Sequence, residues 1–195
     1  ASKALALDPD SGPLHDLKAI ILRFQGRTEE SVPEDLRALA LDPSNVYAVA
    51  SLGFAYEWLG KYDEGLKYFD RAMLLSPHDP YLAHIYGGKA AGNFGLQRYD
   101  QAIEWARQAI SVNPIGGPQY IHSILVAALA LNGHDAEARE ALKRYLALPS
   151  AGGLKTIAAF RAYFNSLAPK QGGSSFIEMN KRIYDGLRKA GMPEE

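Results

Sequence analysis

The chain has 195 residues, of which 47% are hydrophobic and 22% charged, and this composition predicts an ordered globular protein with a sizeable core. Its 21 basic and 22 acidic side chains leave a net charge of −1, which excludes a strong global attraction to nucleic acid or to an anionic membrane. The absence of cysteine excludes disulfides, thiolate zinc sites and cysteine nucleophiles, and no apolar run approaches the ~20 residues of a membrane span. We therefore expect a cytoplasmic protein.

The chain opens on a segment that it repeats further on. Residues 4–10 read ALALDPD and residues 38–44 read ALALDPS, and in both an apolar helical pattern ends at a Leu-Asp-Pro sequence. Proline disfavours helical geometry in the residue before it, so each segment is typical of a helix C-terminus. We expect residues 1–11 to be the end of a repeat whose beginning lies upstream.

Prolines that follow apolar helical patterns recur at a nearly constant interval. They are 34, 34, 37 and 35 residues apart, at Pro9, Pro43, Pro77, Pro114 and Pro149. A short polar segment lies in the middle of each interval, at residues 25–27, 59–65, 96–102 and 132–138. A fixed period of this length indicates a repeat architecture, and the polar segments indicate that each unit is a pair of antiparallel helices.

Residues 46–79 form the most regular unit. Apolar residues follow a helical spacing on both sides of the sequence GKYDEG, so two amphipathic helices are predicted. Small residues, Gly53, Gly65 and Ala72, lie among them and allow two helices to approach closely. At the start of the next unit, Asp79 is predicted to be an N-cap and Pro80 the first helical residue.

This unit resembles the tetratricopeptide repeat (TPR) family. Its period and the order of its signature residues match the family pattern, with Leu52-Gly53, Tyr56, GKYDEG, Phe69, Ala72 and Pro77. The resemblance implies an all-α, right-handed TPR solenoid of antiparallel helix pairs with two C-terminal capping helices. The predicted organisation is the end of a truncated repeat at 1–11, a divergent unit 1 at 12–45, unit 2 at 46–79, unit 3 with an insertion at 80–118, unit 4 at 119–149 and the capping helices at 150–195.

Unit 1 departs most from the family pattern. Lys18 occupies a normally apolar position, and Pro33 lies where the second helix should already have begun. Because Ser31 and Glu34 have the spacing of a capping box, we predict a short second helix that begins only near Pro33.

The period ends after Pro149. One helix and a loop rich in glycine, serine and proline are predicted over 150–175, followed by an amphipathic helix over 175–191 with Gly191 as its C-cap. Such helices cover the apolar face of the last repeat of a solenoid. The closing sequence, GLRKAGMPEE, also resembles the C-terminal ends of TPR arms that follow catalytic or DNA-binding domains in bacterial nucleotidyl cyclases and transcription regulators.

No pattern of catalytic or metal-ligating residues stands out. The five histidines have no metal-binding spacing, and the sequence has no GxSxG, HExxH or phosphate-binding loop. Basic residues alternate with acidic ones, which favours a solvated surface over a nucleic-acid site; they include Lys18, Arg23, Arg71, Arg98, Arg107, Arg139, Lys143 and Arg144. We expect no enzymatic activity, no cofactor and no metal.

One pattern indicates a binding site. Tyr47, Tyr81 and Tyr120 are each expected to be the second residue of a first helix, and in the TPR family the first helices line the concave groove. By position, the resemblance implies a ligand groove formed by Tyr47, Ala50, Phe54, Glu57, Tyr81, His84, Gly88, Tyr120, Ser123 and Ala127. Tyrosine is enriched at recognition surfaces, but these tyrosines could instead pack between repeats, and both interpretations stay open.

The resemblance implies a protein- or peptide-binding scaffold within a longer polypeptide, able to form homo-oligomers, with no direct binding of nucleic acid or membrane. TPR domains that grip the carboxylate tails of heat-shock chaperones carry lysines, asparagines and an arginine along the groove. The corresponding positions here hold Asp16, Ile20, Ser51, Tyr81 and Ile85, so no chaperone carboxylate clamp is expected. The alternative function is a regulatory or self-associating C-terminal arm of a bacterial nucleotidyl cyclase or transcription regulator.

Overall fold

The computed structural model describes residues 5–113, 119–148, 154–167 and 174–195. These ranges contain no strand and form ten helices: α1 (Gly12–Phe24), α2 (Thr28–Leu41), α3 (Val46–Trp58), α4 (Tyr62–Leu75), α5 (Leu82–Gly95), α6 (Tyr99–Val112), α7 (Gln119–Leu131), α8 (Asp135–Ala147), α9 (Ile157–Leu167) and α10 (Ser174–Ala190). From α1 to α8 each helix packs against the next, which confirms the predicted all-α solenoid of helix pairs. The predicted helix stops at Pro114 and Pro149 lie outside the described residues.

We number the helix pairs α1–α2, α3–α4, α5–α6 and α7–α8 as units 1 to 4. Each pair turns at a residue in the left-handed backbone region, with φ of +74° at Gly26, +72° at Gly60, +59° at Gln97 and +84° at Gly133. Glycine adopts this region without steric cost, whereas a residue with a Cβ does not. Unit 3 is therefore the one whose turn is strained.

Small residues allow the close helix packing that the sequence predicts. The ring of Phe69 on α4 is fully buried between two glycines: a Cβ at Gly53 would lie 2.7 Å from its Cε1 atom, and a Cβ at Gly88 would lie 2.3 Å from its Cζ atom. Any side chain larger than hydrogen at either position would displace the ring. Gly53 is the point at which α3 contacts α4, and Gly88 is the point at which α5 contacts α4. One buried phenylalanine therefore packs against both unit 2 and unit 3.

The prediction for the second helix of unit 1 is wrong. Helix α2 begins at Thr28 and contains Pro33. Ser31 does not cap a helix, because its hydroxyl donates to the Thr28 carbonyl at 2.8 Å. Glu34 instead binds α1, through Lys18 Nζ at 2.5 Å and His15 Nδ1 at 2.7 Å. These contacts hold α2 against α1 despite the backbone hydrogen bond that Pro33 cannot donate.

Helix α5 also begins later than predicted. Asp79 and Pro80 precede the helix, and Tyr81 is its N-cap. The Asp79 side chain accepts a hydrogen bond from the Tyr81 N–H at 2.8 Å, and its carbonyl accepts one from the Leu82 N–H at 3.0 Å. Asp79 therefore closes a turn ahead of the helix instead of capping it.

The two C-terminal helices contact each other and unit 4. Helix α9 lies next to α8, where the Tyr145 hydroxyl donates to the Leu154 carbonyl at 2.8 Å and the Tyr145 ring lies 6.0 Å from that of Phe160. Helix α10 packs mainly against α7 and ends at Ala190, and the φ of +103° at Gly191, the next residue, confirms the predicted C-cap. Within the described ranges no helix is long and apolar enough to cross a membrane.

Candidate functional site

The residues predicted to line the groove lie on α3, α5 and α7 or immediately before α5, but they differ in exposure. Tyr47 is 51% exposed, and Phe54, Tyr81, His84 and Tyr120 are partly exposed. The others are buried: Ala50, Glu57, Gly88, Ser123 and Ala127. Only the first group presents side-chain surface from which a site can be built.

Tyr47, Tyr81 and His84 form a continuous aromatic surface, which we call the aromatic patch. The Tyr47 and Tyr81 rings have centroids 5.4 Å apart, and the Tyr81 ring stacks on His84 at 4.4 Å. Counting back from the left-handed turn residue of each unit, the thirteenth residue is Tyr47 in unit 2, His84 in unit 3 and Tyr120 in unit 4. His84 is therefore the structural equivalent of Tyr47, and Tyr81 extends the patch by one turn.

Tyr120 does not belong to the aromatic patch in the same way. Its hydroxyl end packs against α5, where a Cβ at Gly87 would lie 2.8 Å from the hydroxyl oxygen. Burial raises the pKa of this hydroxyl well above its usual value, and the Glu57 carboxyl adds to the shift. Of the three predicted tyrosines, Tyr47 and Tyr81 therefore lie at the surface, and Tyr120 packs between units 3 and 4.

A buried polar cluster from three helices adjoins the aromatic patch. Arg23 of α1 donates from Nη1 to Asp35 Oδ2 of α2 at 2.9 Å and from Nη2 to Ser51 Oγ of α3 at 2.7 Å. Asp16 interacts with Ser51 and Arg23, and the charges of Arg23 and Asp16 act on the Tyr81 hydroxyl. The interpretation of Arg23 as a solvated residue is therefore wrong, because its side chain is buried.

The polar cluster has hydrogen-bonding capacity that the chain does not use. The Oδ1 atoms of Asp16 and Asp35 and the Nδ1 atom of His84 are buried without a hydrogen-bond partner. Burial raises the pKa of Asp35 to about 7, although Arg23 opposes the shift, and burial also raises the pKa of Asp16. Burial lowers the pKa of His84, which favours its neutral form. In the described part of the chain, no three His, Asp or Glu side chains are grouped so that they could hold a metal ion.

The sequence interpretation missed this cluster because its members come from three helices. In the sequence, Asp16 and Ser51 only exclude a chaperone clamp, and Arg23 is one of many basic residues that alternate with acidic ones. One signal was present: Arg23 follows Ala19 by four residues, and both are on the buried side of α1. A basic residue on the buried stripe of a helix requires a partner, and the partners are Asp35 and Ser51.

A second concavity lies between units 3 and 4. It has a volume of about 610 Å³ and is bordered by α6, α7 and α8. Its charged residues are already paired, Arg107 with Glu137 at 2.5 Å and Arg144 with Glu140 at 3.1 Å. Because these charged groups already form ion pairs with each other, the concavity is a weaker candidate for a ligand site than the aromatic patch and polar cluster.

Comparison with known proteins agrees with this architecture. The family model of the tetratricopeptide repeat matches residues 44–114, and no curated protein matches the sequence. The chain is similar to the solved structure of YrrB, described as a TPR protein with an unusual peptide-binding site, with a TM-score of 0.61 and 18% identity over 97% of this chain and 94% of that one.

Two further solved structures are similar. MamA of Desulfovibrio magneticus RS-1 has a TM-score of 0.63 and 15% identity over 93% of this chain and 97% of its own. The O-GlcNAc transferase of Thermobaculum terrenum has a TM-score of 0.62 and 18% identity, but the match covers 69% of this chain and only 25% of the transferase. At such identities these similarities concern the fold alone. This chain therefore contains tetratricopeptide repeats, recognised by the family model over residues 44–114, and its described helices have the fold of solved TPR proteins.

Proposed function

We propose that this chain is a protein-interaction scaffold that binds a peptide segment on the aromatic patch and the adjoining polar cluster. The observation that carries the proposal is the Tyr47–Tyr81–His84 surface, exposed at Tyr47 and partly exposed at the other two residues, next to buried polar atoms without partners. Aromatic side chains provide large contact area at little entropic cost, and a site with unused hydrogen-bonding atoms rewards a ligand that satisfies them. No residue of the site is assigned a catalytic role.

The residues of the site determine which peptide segments it binds. An apolar side chain of the ligand packs on Tyr47, which is exposed, and on the neighbouring Tyr81, which is partly exposed. A lysine or arginine beside it donates to the carboxylate of Asp16, a residue that is only partly buried. The printed description of YrrB, a protein of the same fold, names a peptide-binding site in that protein and is in line with the proposal.

Selection from a random peptide library tests the proposal. Peptides of about twelve residues, displayed on phage and selected on the full chain, are expected to carry a basic residue next to an apolar or aromatic one. The selected peptides are expected to bind Tyr81→Ala about ten-fold more weakly than the wild type. Tyr163→Ala on α9, also a partly exposed tyrosine, is the control and should leave binding unchanged. Equal binding to Tyr81→Ala and to the wild type would contradict the proposal.

The alternative, a self-associating regulatory arm, makes a different prediction. A chain that associates with itself has a mass that increases with concentration, which light scattering after size-exclusion chromatography measures directly. A peptide-binding scaffold that stays monomeric shows no increase of mass with concentration. A dimer that retains peptide binding on the aromatic patch would combine the two functions, and a dimer that loses it would favour the alternative.

A further inference from the structure

One position of the repeat carries a long or large side chain in three units and a small one in the fourth. It is the eighth residue after the left-handed turn residue of each unit, and it therefore lies on the second helix. The residues at this position are Glu34, Tyr68, Trp105 and Ala141. The first three reach the first helix of their own unit, whereas an alanine side chain is too short to do so.

In units 1 and 2 this side chain contacts the first helix in different ways. Glu34 of α2 binds Lys18 Nζ at 2.5 Å and His15 Nδ1 at 2.7 Å on α1. The Tyr68 ring of α4 stacks on the Tyr56 ring of α3, with centroids 5.5 Å apart. In both units the space between the two helices is therefore occupied by the chain itself.

In unit 3 an indole occupies this space. The Trp105 ring lies 5.5 Å from the Tyr86 ring, and Lys89 Nζ lies 3.7 Å from the centre of the indole. Counting back from the turn residue of each unit, Tyr86 corresponds to His122 and Lys89 corresponds to Leu125. Stacked repeats place equivalent residues in equivalent surroundings. Unit 4 therefore retains the two positions that border the ring in unit 3, but it has no ring of its own between them.

The concavity between units 3 and 4 lies at this position of unit 4. Ala141, His122 and Leu125 all border it, and its volume of about 610 Å³ is within the ~300–1,000 Å³ of ligand sites. Tyr145, one turn further along α8, does not border it, because this ring is fully buried and packs beside Phe160. Unit 4 thus leaves open a space that unit 3 fills with Trp105.

The rim of the concavity favours an uncharged occupant. Its exposed charged side chains form the pairs Arg107–Glu137 at 2.5 Å and Arg144–Glu140 at 3.1 Å. A charged ligand would have to compete with these pairs, whereas an aromatic ring needs only the apolar surface between them. The apolar residues that border the concavity are Ile110, Leu125, Leu129, Ala136 and Ala141.

A neighbouring concavity extends this surface along α6. It has a volume of about 390 Å³ and shares Arg107, Leu129 and Glu137 with the larger concavity. A free ring would occupy only one of the two spaces. A polypeptide segment can place a side chain in one and continue through the other, so the pair of concavities fits a segment of another protein better than a single ring.

We infer that the concavity between units 3 and 4 binds a tryptophan or tyrosine side chain of a partner protein, in the place that Trp105 and Tyr68 occupy in their own units. The ring of the partner packs on Leu125 and His122, and its backbone follows α6. The residues that flank the ring are uncharged, because the charges of the rim already have partners. This inference goes beyond the proposed function, since it concerns a surface other than the aromatic patch.

The probe is the blocked peptide acetyl-Gly-Ser-Trp-Ser-Gly-amide, titrated into the full chain while the amide signals of α6 to α8 are followed by NMR. Saturable shifts are expected in the wild type. Ala141→Trp places an indole of the chain in the concavity and should weaken peptide binding at least about ten-fold. Ala147→Trp adds the same residue at an exposed position of α8 outside the concavity and should bind as the wild type does. The absence of saturable shifts in the wild type, or equal binding by the two variants, would overturn the proposal.

The melting temperatures of the same two variants provide a readout that needs no ligand. An indole that fits beside Leu125 buries additional apolar area, so Ala141→Trp is expected to melt about 2–4 °C above Ala147→Trp. Both variants replace alanine by tryptophan in α8, so the lower helix propensity of tryptophan affects both. An Ala141→Trp chain that melts below the control, or that does not fold, would show that the concavity cannot hold an indole and would refute the proposal.

Trp105→Ala tests the equivalence of units 3 and 4. Loss of this indole opens the corresponding space beside Tyr86 and Lys89. The peptide is then expected to shift amides of α5 as well and to bind at two sites per chain. A folded variant that binds the peptide only in unit 4 would remove the equivalence on which the proposal rests.

Two further titrations identify the occupant. A peptide with lysine in place of tryptophan should not bind, and free indole should bind at least about ten-fold more weakly than the peptide, because it does not reach the neighbouring concavity. Binding of the lysine peptide would contradict the preference for an uncharged ring. Indole that binds as tightly as the peptide would indicate a site for small aromatic molecules and would overturn the assignment to a partner protein.

The inference and the proposed function can fail separately. Tyr81→Ala should leave the peptide-induced shifts of α7 and α8 unchanged, because Tyr81 does not border the concavity. Ala141→Trp should leave unchanged the binding of library peptides whose affinity depends on Tyr81. Loss of the α7 and α8 shifts in Tyr81→Ala would place the aromatic side chain of the peptide on the aromatic patch and overturn the inference.

Discussion

The phenol ring of Tyr81 lies parallel to the imidazole of His84, with centroids 4.4 Å apart and an angle of 5° between the planes. The N-cap position of Tyr81 and the first turn of α5 bring the two rings together. Burial lowers the pKa of His84, so a neutral imidazole faces the tyrosine. The pair forms the centre of the aromatic patch, and both side chains are partly buried.

Replacement of Tyr81 by alanine is expected to cost about 1–2 kcal/mol of unfolding free energy, because the ring is only partly buried. Phe69→Ala is the comparison: this ring is fully buried between Gly53 and Gly88, and its loss is expected to cost about 3–5 kcal/mol. Urea denaturation of the two variants measures both. A Tyr81→Ala cost as large as that of Phe69→Ala would show that Tyr81 is a packing residue and would weaken the case for the patch as a binding surface.

Replacement of Arg23 by methionine is expected to destabilise the chain by about 3–5 kcal/mol. The variant leaves Asp35, which is fully buried, without its cation and leaves Ser51 without a donor. Arg37→Met is the matched control, because Arg37 and Asp10 form an exposed pair at 2.5 Å that should contribute less than about 1 kcal/mol. Similar urea midpoints for the two variants would contradict the assignment of Arg23 to a buried cluster.

Glu57 is expected to make the chain less stable as pH rises. Burial raises its pKa from the ordinary 4.5 to about 8, so between these values the folded chain binds the proton more tightly than the unfolded chain does. Stability therefore falls as pH rises through this window and is constant above it. Asp35 and Asp16, whose pKa values are also raised, contribute in the same direction.

Glu57→Gln isolates the contribution of Glu57. The variant should be more stable than the wild type at pH 8, and the difference should disappear below pH about 5, where both side chains are neutral. Unfolding midpoints in urea between about pH 5 and pH 8 give this stability difference directly. Asp35 and Asp16 are present in both chains, so their contributions to the pH dependence cancel. A difference that stays constant with pH would mean that Glu57 does not hold a proton in the folded chain.

Gln97→Gly is expected to stabilise the chain by up to about 1 kcal/mol. Gln97 has φ of +59° at the turn between α5 and α6, where the other three units have glycine. The converse variant, Gly133→Ala, should destabilise by a similar amount; a Cβ at Gly133 would meet no atom within 4 Å, so only backbone strain contributes. Thermal unfolding of both variants tests the two predictions: the melting temperature should rise in Gln97→Gly and fall in Gly133→Ala.

The repeat, the helix pairs and the C-cap at Gly191 could be predicted because they depend on local chemistry. Proline restricts the backbone at its own position, glycine permits the left-handed conformations that end helices and form turns, and apolar residues at helical spacing identify the buried stripe of each helix. Pro33 shows the limit of this reasoning. Its effect on α2 depends on whether another helix compensates for the lost hydrogen bond, and Lys18 and His15 on α1 do so through Glu34.

The sequence by itself therefore determined a solenoid of helix pairs and a row of aromatic residues on its first helices. Tertiary structure decided which of those residues remain accessible: Tyr47 and Tyr81 at the surface, Tyr120 with its hydroxyl buried. It also decided that Arg23 meets Ser51, 28 residues away, and that Phe176 stacks on Trp58. An amphipathic pattern shows that a helix buries one face, but many surfaces in a repeat protein are similar. The surface that α10 covers depends on contacts such as that of Gly186 with Ala127. The fit between two helices at such a contact cannot be predicted from the sequence pattern of either helix.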